Sequence, residues 1–149
     1  MISDVELITG AEHSDARGRV RFVNDFKPNQ ADRFYCIYPA APGEVRGWVG
    51  HRRDAKWFFV VRGVVKIGVV QPDNWDSLSS DLPVAVYTLS DYCSEVLAVP
   101  QGHFTASVSV VPNSIIMVFS TGRIEDASTD DFRVAADHWL LTEGSPSSR

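Results

Sequence analysis

Short runs of β-branched and aromatic residues, separated by Gly, Pro, Asn and Asp, recur along nearly the whole chain. Such runs are typical of strands joined by turns, whereas the spacing of an amphipathic helix is almost absent. The pattern predicts strands at 20–23, 33–38, 56–62, 64–70, 84–89, 94–99, 103–111 and 114–120. Closely spaced strands in this number indicate an all-β sandwich or barrel.

The connections between these runs carry further predictions. In KWFFVVRGVVKIGVV, Gly63 separates two apolar runs, so we expect a hairpin whose two arms lie side by side. The polar stretch 71–83 is predicted to be a surface loop that carries Trp75. The segment DDFRVAADHWLL, at 130–141, is predicted to form either one short helix or a closing strand.

Length and composition indicate a single domain. With 149 residues, 44% of them hydrophobic, the chain can bury one sizeable core. We assign this domain to residues 1–142 and expect residues 143–149, which are small and polar, to form a flexible tail. Cys36 and Cys93 lie in apolar, strand-like segments, where a thiol is usually a small buried hydrophobe, so we assign them no function.

Charge and hydropathy exclude several classes of partner. The chain has 14 Lys and Arg against 19 Asp and Glu, a net charge of -5, and no basic run that could follow a row of phosphates. It also lacks the order of a signal peptide and any apolar stretch near the roughly 20 residues that span a bilayer. We therefore expect a cytoplasmic protein that binds neither nucleic acid nor membrane.

A few basic residues stand where they could line a barrel mouth. His51 follows RGWVG in a polar turn and His103 follows VPQG, so both could face one cavity, although each could equally cap a turn. Arg17 and Arg46 each precede a glycine, a pair that suits a diphosphate because the backbone can approach while the guanidinium binds; an ordinary solvated turn is the alternative. Lys56 begins an apolar strand, where its ammonium is either partly desolvated or extended into solvent.

Several motifs fall in one order along the chain: DARG at 15–18, RFY at 33–35, RGWVGH at 46–51, AKWFFVVRG at 55–63, VPQG at 99–102 and DDFR at 130–133. The ordered set resembles the sugar-nucleotide cupins, namely dTDP-4-dehydrorhamnose 3,5-epimerase, the dTDP-4-keto-6-deoxyhexose 3,4-ketoisomerases and their WxcM-like relatives. The resemblance implies a single-domain cupin fold, a double-stranded β-helix or jelly-roll barrel. It also implies a homodimer whose barrel mouth binds a nucleotide sugar.

The resemblance implies neither a metal nor any other cofactor. Metal-binding cupins use a His-x-His pair, a following Glu and a later His. In this chain Val49 stands in place of the first histidine, no Glu follows closely, and Thr105 occupies the place of the later histidine. Too few ligands remain to hold a cation.

The family pattern also assigns roles to residues, with two departures. Val49 occupies the position of the usual base, and the strand 115–120 contains Phe119 and no tyrosine where the epimerases carry their acid. His51 matches the second histidine of the ketoisomerase motif, and Lys56 matches the lysine that stabilises an enolate oxygen. The implied site comprises His51 as proton shuttle and Lys56 as oxyanion group, with substrate contacts from Arg17, Arg46, Tyr35 and His103.

Two functions are compatible with this pattern. The first is an epimerase or ketoisomerase that acts on a nucleotide-linked, dTDP-type 4-keto-6-deoxy sugar through an enolate or enediol, in deoxysugar or polysaccharide biosynthesis. The second is a non-catalytic module that binds a sugar nucleotide and has lost the family base. We favour the enzyme, because a desolvated lysine near an imidazole serves chemistry better than binding.

Overall fold

A computed structural model describes residues 4–123, 125 and 128–141 of the chain. The predicted tail at 143–149 lies outside these residues. The strands are β1 (Glu6–Thr9), β2 (Ala11–Asp15), β3 (Gly18–Phe22), β4 (Arg33–Ile37), β5 (Val45–His51), β6 (Lys56–Arg62), β7 (Val64–Val70), β8 (Ala85–Ser90), β9 (Glu95–Val99), β10 (His103–Ser109), β11 (Ile115–Ser120) and β12 (Phe132–Arg133). The described residues contain no α-helix, and Pro28–Gln30 form a 3-10 turn.

The strands form two five-stranded antiparallel sheets and one separate hairpin. Sheet I has the order β1-β9-β6-β11-β4, sheet II has the order β12-β5-β10-β7-β8, and β2 pairs with β3. The two sheets pack face to face around a common apolar core, to which sheet I contributes Phe58 and Leu97 and sheet II contributes Ile67 and Leu89. The prediction of an all-β fold is confirmed. The sheets are not closed into a continuous barrel.

The predicted hairpin around Gly63 is wrong. β6 pairs with β9 and β11 in sheet I, whereas β7 pairs with β8 and β10 in sheet II. Gly63 has φ +89° and forms a corner that carries the chain from one sheet to the other. A single glycine is shorter than the two-residue loop of a tight hairpin, and crossing between sheets lets both apolar runs enter the same core.

All eight predicted strands are present, with ends that differ by a few residues. The pattern missed β1, β2 and β5, whereas β12 lies in the segment predicted to form a short helix or a closing strand. β5 is the important omission, because His51 was predicted to lie in a polar turn and the structure places Arg46 and His51 within a seven-residue strand. Its two glycines and its bulge opposite Thr105 and Ala106 hide the strand pattern. The segment 130–141 contributes a closing strand, β12, and no helix.

The outer face of sheet II is covered by the loop 71–83 and by the part of the C-terminal segment that follows β12. The predicted loop at 71–83 brings Trp75 onto Phe104, with ring centroids 5.2 Å apart. The C-terminal segment brings Trp139 against Trp48, and the indole N–H of Trp48 donates to the carbonyl of Trp139 at 2.8 Å. β5 is therefore fixed by an aromatic layer on the side away from the core.

We predict that Gly63→Ala destabilises the protein far more than Gly43→Ala. Both glycines have a positive φ, +89° and +87°, so both variants bear about 1–2 kcal/mol of backbone strain. An added Cβ at Gly63 would also collide with the Ser114 side chain and lie 2.9 Å from its Cα, whereas at Gly43 nothing lies within 4 Å. We expect the free energy of unfolding in urea to fall by at least about 3 kcal/mol for Gly63→Ala. Equal losses in the two variants would show that this corner is not tightly packed.

Candidate active site

A cavity of about 790 Å³ opens between the two sheets, at the end where β5 finishes and β6 begins. Residues of β4 and β6 form one wall, residues of β5 and β10 form the other, and the C-terminal segment contributes Asp130, Asp131 and Arg133. The apolar core closes the opposite end of the sandwich. Polar side chains from the strands and from the segments between them therefore line the cavity, together with apolar residues such as Val49 and Phe58.

β5 presents Val49 and His51 to the cavity. Both side chains line it, as the two-residue period of a strand requires. The intervening residues face the aromatic layer, where Trp48 is fully buried and Gly50 lies against the ring of Phe104. Gly47 has φ +136°, and a Cβ there would lie 2.7 Å from that of Ala106, so the bulge requires glycine.

His51 is half-buried beside both a cation and carboxylates. Its Nε2 lies 4.0 Å from Oδ1 of Asp131. Desolvation and the charge of Lys56 lower the pKa of the imidazole, and the carboxylates of Asp54, Asp130 and Asp131 act in the opposite direction. Because the net shift is downward from 6.5, His51 is neutral at pH 7 and able to accept a proton.

Lys56 reaches the cavity from the opposite sheet. It begins β6, where it pairs with Val99 of β9 and Ser120 of β11. Burial lowers the pKa of its ammonium group, and the carboxylate of Asp54 partly opposes this effect. The structure thus brings together the two residues predicted to carry chemistry, one from each sheet.

Asp54 is a cavity residue that the sequence analysis missed. Its side chain is buried, with 8% of the residue exposed. Oδ1 accepts hydrogen bonds from the hydroxyls of Ser120 at 2.9 Å and Thr121 at 3.0 Å. An acidic residue between His51 and Lys56 in the sequence was the available signal.

Tyr35 and Arg46 also line the cavity. Burial raises the pKa of the Tyr35 phenol, and the guanidinium of Arg33 lies 4.8 Å from the centre of its ring. Arg33 is held in turn by the carbonyl of Gly122, which accepts from its Nε at 2.6 Å. Arg33 and Arg133 are further cavity cations that the sequence analysis did not single out.

Arg17 and His103 lie outside this cavity. Arg17 stands in the β2–β3 turn, where its side chain is 88% exposed and ion-paired with Asp15 at 2.5 Å. The backbone of His103 pairs with that of His51, but carbonyls of Pro100 and Gln101 hold its Nδ1 at 3.0 and 3.2 Å. His103 lines a smaller cleft of about 350 Å³ instead.

The donor set of the cavity does not suit a metal ion. Among residues 4–123, 125 and 128–141, no three side chains of His, Cys, Asp or Glu converge on a point that could hold a cation. Thr105 lies opposite Val49 on the neighbouring strand, so apolar and hydroxyl groups occupy this wall.

Among the residues that the structure describes, no helix has the length and apolar character needed to cross a membrane.

A family model described as FdtA: WxcM-like, C-terminal matches residues 3–133. The chain belongs to this family. The resemblance of its motifs to the sugar-nucleotide cupins is therefore confirmed. No curated protein sequence gives a significant match.

Several solved structures with the same fold are sugar-nucleotide enzymes. QdtA, a sugar 3,4-ketoisomerase of Thermoanaerobacterium thermosaccharolyticum solved with TDP, is 19% identical with a TM-score of 0.70, covering 93% of both chains. A dTDP-4-dehydrorhamnose 3,5-epimerase of Bacillus anthracis, solved with TDP and PPi, is 19% identical with a TM-score of 0.72, covering 88% of this chain and 78% of that one. NovW, a 4-keto-6-deoxy sugar epimerase of Streptomyces spheroides, is 15% identical with a TM-score of 0.72, covering 98% and 84%. The predicted cupin fold is confirmed.

We predict that Lys56→Met stabilises the protein at pH 7 by about 1 kcal/mol, because it removes a desolvated ammonium group. The gain should shrink as the pH rises. Since the folded pKa lies below the ordinary 10.5, the charged lysine destabilises the folded state fully below its folded pKa and no longer does so above 10.5. Urea unfolding at several pH values measures the difference in the free energy of unfolding. Lys27 is exposed, so Lys27→Met serves as the control and should change this free energy by about zero. A variant less stable than the parent at pH 7 would show that the Lys56 ammonium is well accommodated.

Proposed function

We propose that this chain is an epimerase or ketoisomerase of a nucleotide-linked, dTDP-type 4-keto-6-deoxy sugar. The observation that carries the proposal is the meeting of His51 and Lys56 in one cavity, from opposite sheets, each with a lowered pKa. A neutral imidazole beside a cation is what proton removal next to a ketone requires. Membership of the WxcM-like family supports the same chemistry.

In the proposed reaction, neutral His51 removes the proton from a carbon next to the C4 ketone. The electrons of that C–H bond form a carbon–carbon double bond, and the carbonyl oxygen becomes an enolate oxygen. The Lys56 ammonium stabilises this oxygen electrostatically, in a cavity where desolvation strengthens the interaction. Protonation of the same carbon on its opposite face by a second donor gives an epimer, and the imidazolium then loses its proton to solvent. For ketone migration, the proton of the C3 hydroxyl moves to the C4 oxygen and the imidazolium returns its proton to C4, which leaves the ketone at C3.

Arg46 and Tyr35 are the proposed substrate contacts within the cavity. Arg46 is exposed on β5, on the wall that carries His51, and its guanidinium suits a diphosphate. QdtA and the Bacillus anthracis epimerase were both solved with TDP. Arg17 and His103 do not line the cavity of this chain, so the cavity does not support their predicted contacts with the substrate. The homodimer and the cytoplasmic location stay predictions.

The binding module remains the second candidate, and Val49 favours it. A valine at the position of the usual base cannot move a proton, and it faces the cavity. A protein that retained Arg46 and lost proton transfer would bind the nucleotide sugar without changing it. The next experiment separates the two functions.

We predict that His51→Gln lowers solvent deuterium exchange into dTDP-4-keto-6-deoxyglucose by about 100- to 10,000-fold while nucleotide affinity stays nearly constant, because a general base acts on the barrier and not on binding. NMR in deuterated water follows each ring carbon. His13→Gln, on the exposed β2–β3 hairpin, is the matched control and should exchange like the parent.

Val49→His is the complementary variant, and it should support exchange from the family position. Exchange at the parental rate in His51→Gln would remove His51 from the mechanism. If the parent binds the nucleotide sugar and exchanges nothing, the binding module is the correct function.

We predict that Arg46→Ala weakens TDP binding by about 1.5 kcal/mol, roughly tenfold, through loss of a charge-assisted contact to phosphate. Calorimetry measures the affinity. Arg62→Ala, at the far end of β6 and outside the cavity, serves as the control for the loss of one positive charge. Equal affinities for parent and Arg46→Ala would leave Arg46 without a role in binding.

A further inference from the structure

Four residues, 52–55, join His51 at the end of β5 to Lys56 at the start of β6. They also carry the chain from sheet II to sheet I, so their conformation sets the distance between the two side chains. No strand pairing holds residues 52–55. Their fixed position therefore depends on contacts with other parts of the chain.

Asp130 holds the first half of this connection. Its Oδ1 accepts a hydrogen bond from the backbone N–H of Arg52 at 2.7 Å, and its Oδ2 accepts one from the N–H of Arg53 at 3.0 Å. The residue is 5% exposed. Both carboxylate oxygens are thus used on the two residues that directly follow His51.

Asp54 and Thr121 hold the second half. Besides the hydroxyls that bind Asp54, the N–H of Ala55 donates to Thr121 Oγ1 at 2.9 Å, and the N–H of Thr121 donates to the carbonyl of Ala55 at 3.1 Å. The connection is therefore fastened to the C-terminal segment on one side and to the end of β11 on the other.

We propose that Asp130 is a positioning residue, which fixes His51 in register with Lys56 across the cavity. The proposal rests on the proposed function. β12 pairs with β5 through two residues, Phe132 opposite Gly50 and Arg133 opposite Val49, and one further step places Asp131 opposite His51. On its other edge β5 pairs with β10, with His51 opposite His103, and the N–H of Gly102 donates to the carbonyl of His51 at 2.8 Å. This pairing ends at His51, so the two hydrogen bonds of Asp130 constrain the residues that lead from His51 toward Lys56.

The same carboxylate belongs to the charges that face His51. These are Lys56 of β6, Asp54 of the connection, and Asp130 and Asp131 of the C-terminal segment. Arg133 takes part indirectly, since its Nε lies 3.0 Å from Oδ2 of Asp131. Loss of the Asp130 charge removes one of the groups that oppose the downward shift in the pKa of His51.

Asp91 provides a matched structural control. Its Oδ2 accepts the backbone N–H of Gly63 at 3.0 Å, at the corner that joins the same two sheets at the opposite end of β6. Asp91 therefore fastens a sheet-to-sheet connection by the same kind of bond, remote from the cavity.

The test compares Asp130→Asn with Asp91→Asn. We expect both to lower the melting temperature, because an amide cannot fully replace a carboxylate that accepts backbone N–H groups. Only Asp130→Asn should lower kcat for deuterium exchange, by about 10- to 100-fold with KM changed less than about threefold, as expected for a displaced base. In the unliganded protein, NMR titration of the imidazole should show a lower pKa for His51 in Asp130→Asn and no change in Asp91→Asn.

Equal kcat in Asp130→Asn and the parent would overturn the proposal and leave Asp130 a turn residue. If the parent exchanges no deuterium, the proposed function fails, and the distance from the His51 ring to Lys56 Nζ in a crystal structure of Asp130→Asn decides: the parental distance rejects Asp130 as a positioning residue, and a changed distance supports it. Should Asp130→Asn not fold, Asp130→Glu takes its place. It keeps both oxygens but shifts the turn. Parental kcat, or a parental distance from His51 to Lys56 where no exchange occurs, would again reject the role.

Discussion

Apolar burial between the inner faces of the two sheets is the interaction on which the rest of the molecule depends. Phe58 and Leu97 of sheet I meet Ile67 and Leu89 of sheet II, and this packing keeps the sheets face to face. At about 25 cal/mol per Å² of apolar surface, such side chains provide most of the stability of a domain this size. The core stops short of one end, where the sheets still face each other and enclose a cavity. Rigid strands therefore support polar side chains at a place from which much of the solvent is excluded.

Desolvation shifts the pKa values of these polar side chains and also makes their burial unfavourable for stability. Burial favours the neutral forms of His51 and Lys56, and nearby cations act in the same direction, whereas the surrounding carboxylates favour the charged forms. Asp54 occupies its position because two hydroxyls donate to it, which spares the carboxylate much of the cost of burial. Hydrogen bonds at the edge of the site thus hold the carboxylates whose charges oppose the effect of burial on His51 and Lys56.

The fold class and eight strands could be predicted because strand patterns are local in the sequence. The partners of those strands could not. The sequence around Gly63 predicts a hairpin. Only the three-dimensional packing of both arms into one core shows that Gly63 forms a corner between the two sheets. β5 was not predicted, because its glycines and its bulge interrupt the alternation of apolar and polar residues that marks a strand.

His51 and Lys56 were identified through motifs, and the structure places both in one cavity. Asp54 and Asp130 were not identified, because their contacts join residues 66 to 78 positions apart in the chain. Arg17 has a motif like that of Arg46 but stands on a separate hairpin. Its neighbours in sequence therefore gave no indication of its distance from the cavity.

Successive side chains of β5 point to opposite faces of sheet II, so the residues needed for folding differ from those available for chemistry. Trp48 and Gly50 pack in the aromatic layer, while Val49 and His51 line the cavity. A lineage carrying this strand can exchange its cavity-facing residues by single mutations and keep the Trp48 and Gly50 packing that the sheet needs. Reactions on this scaffold are thus free to diverge, or to be lost, faster than the fold that carries them.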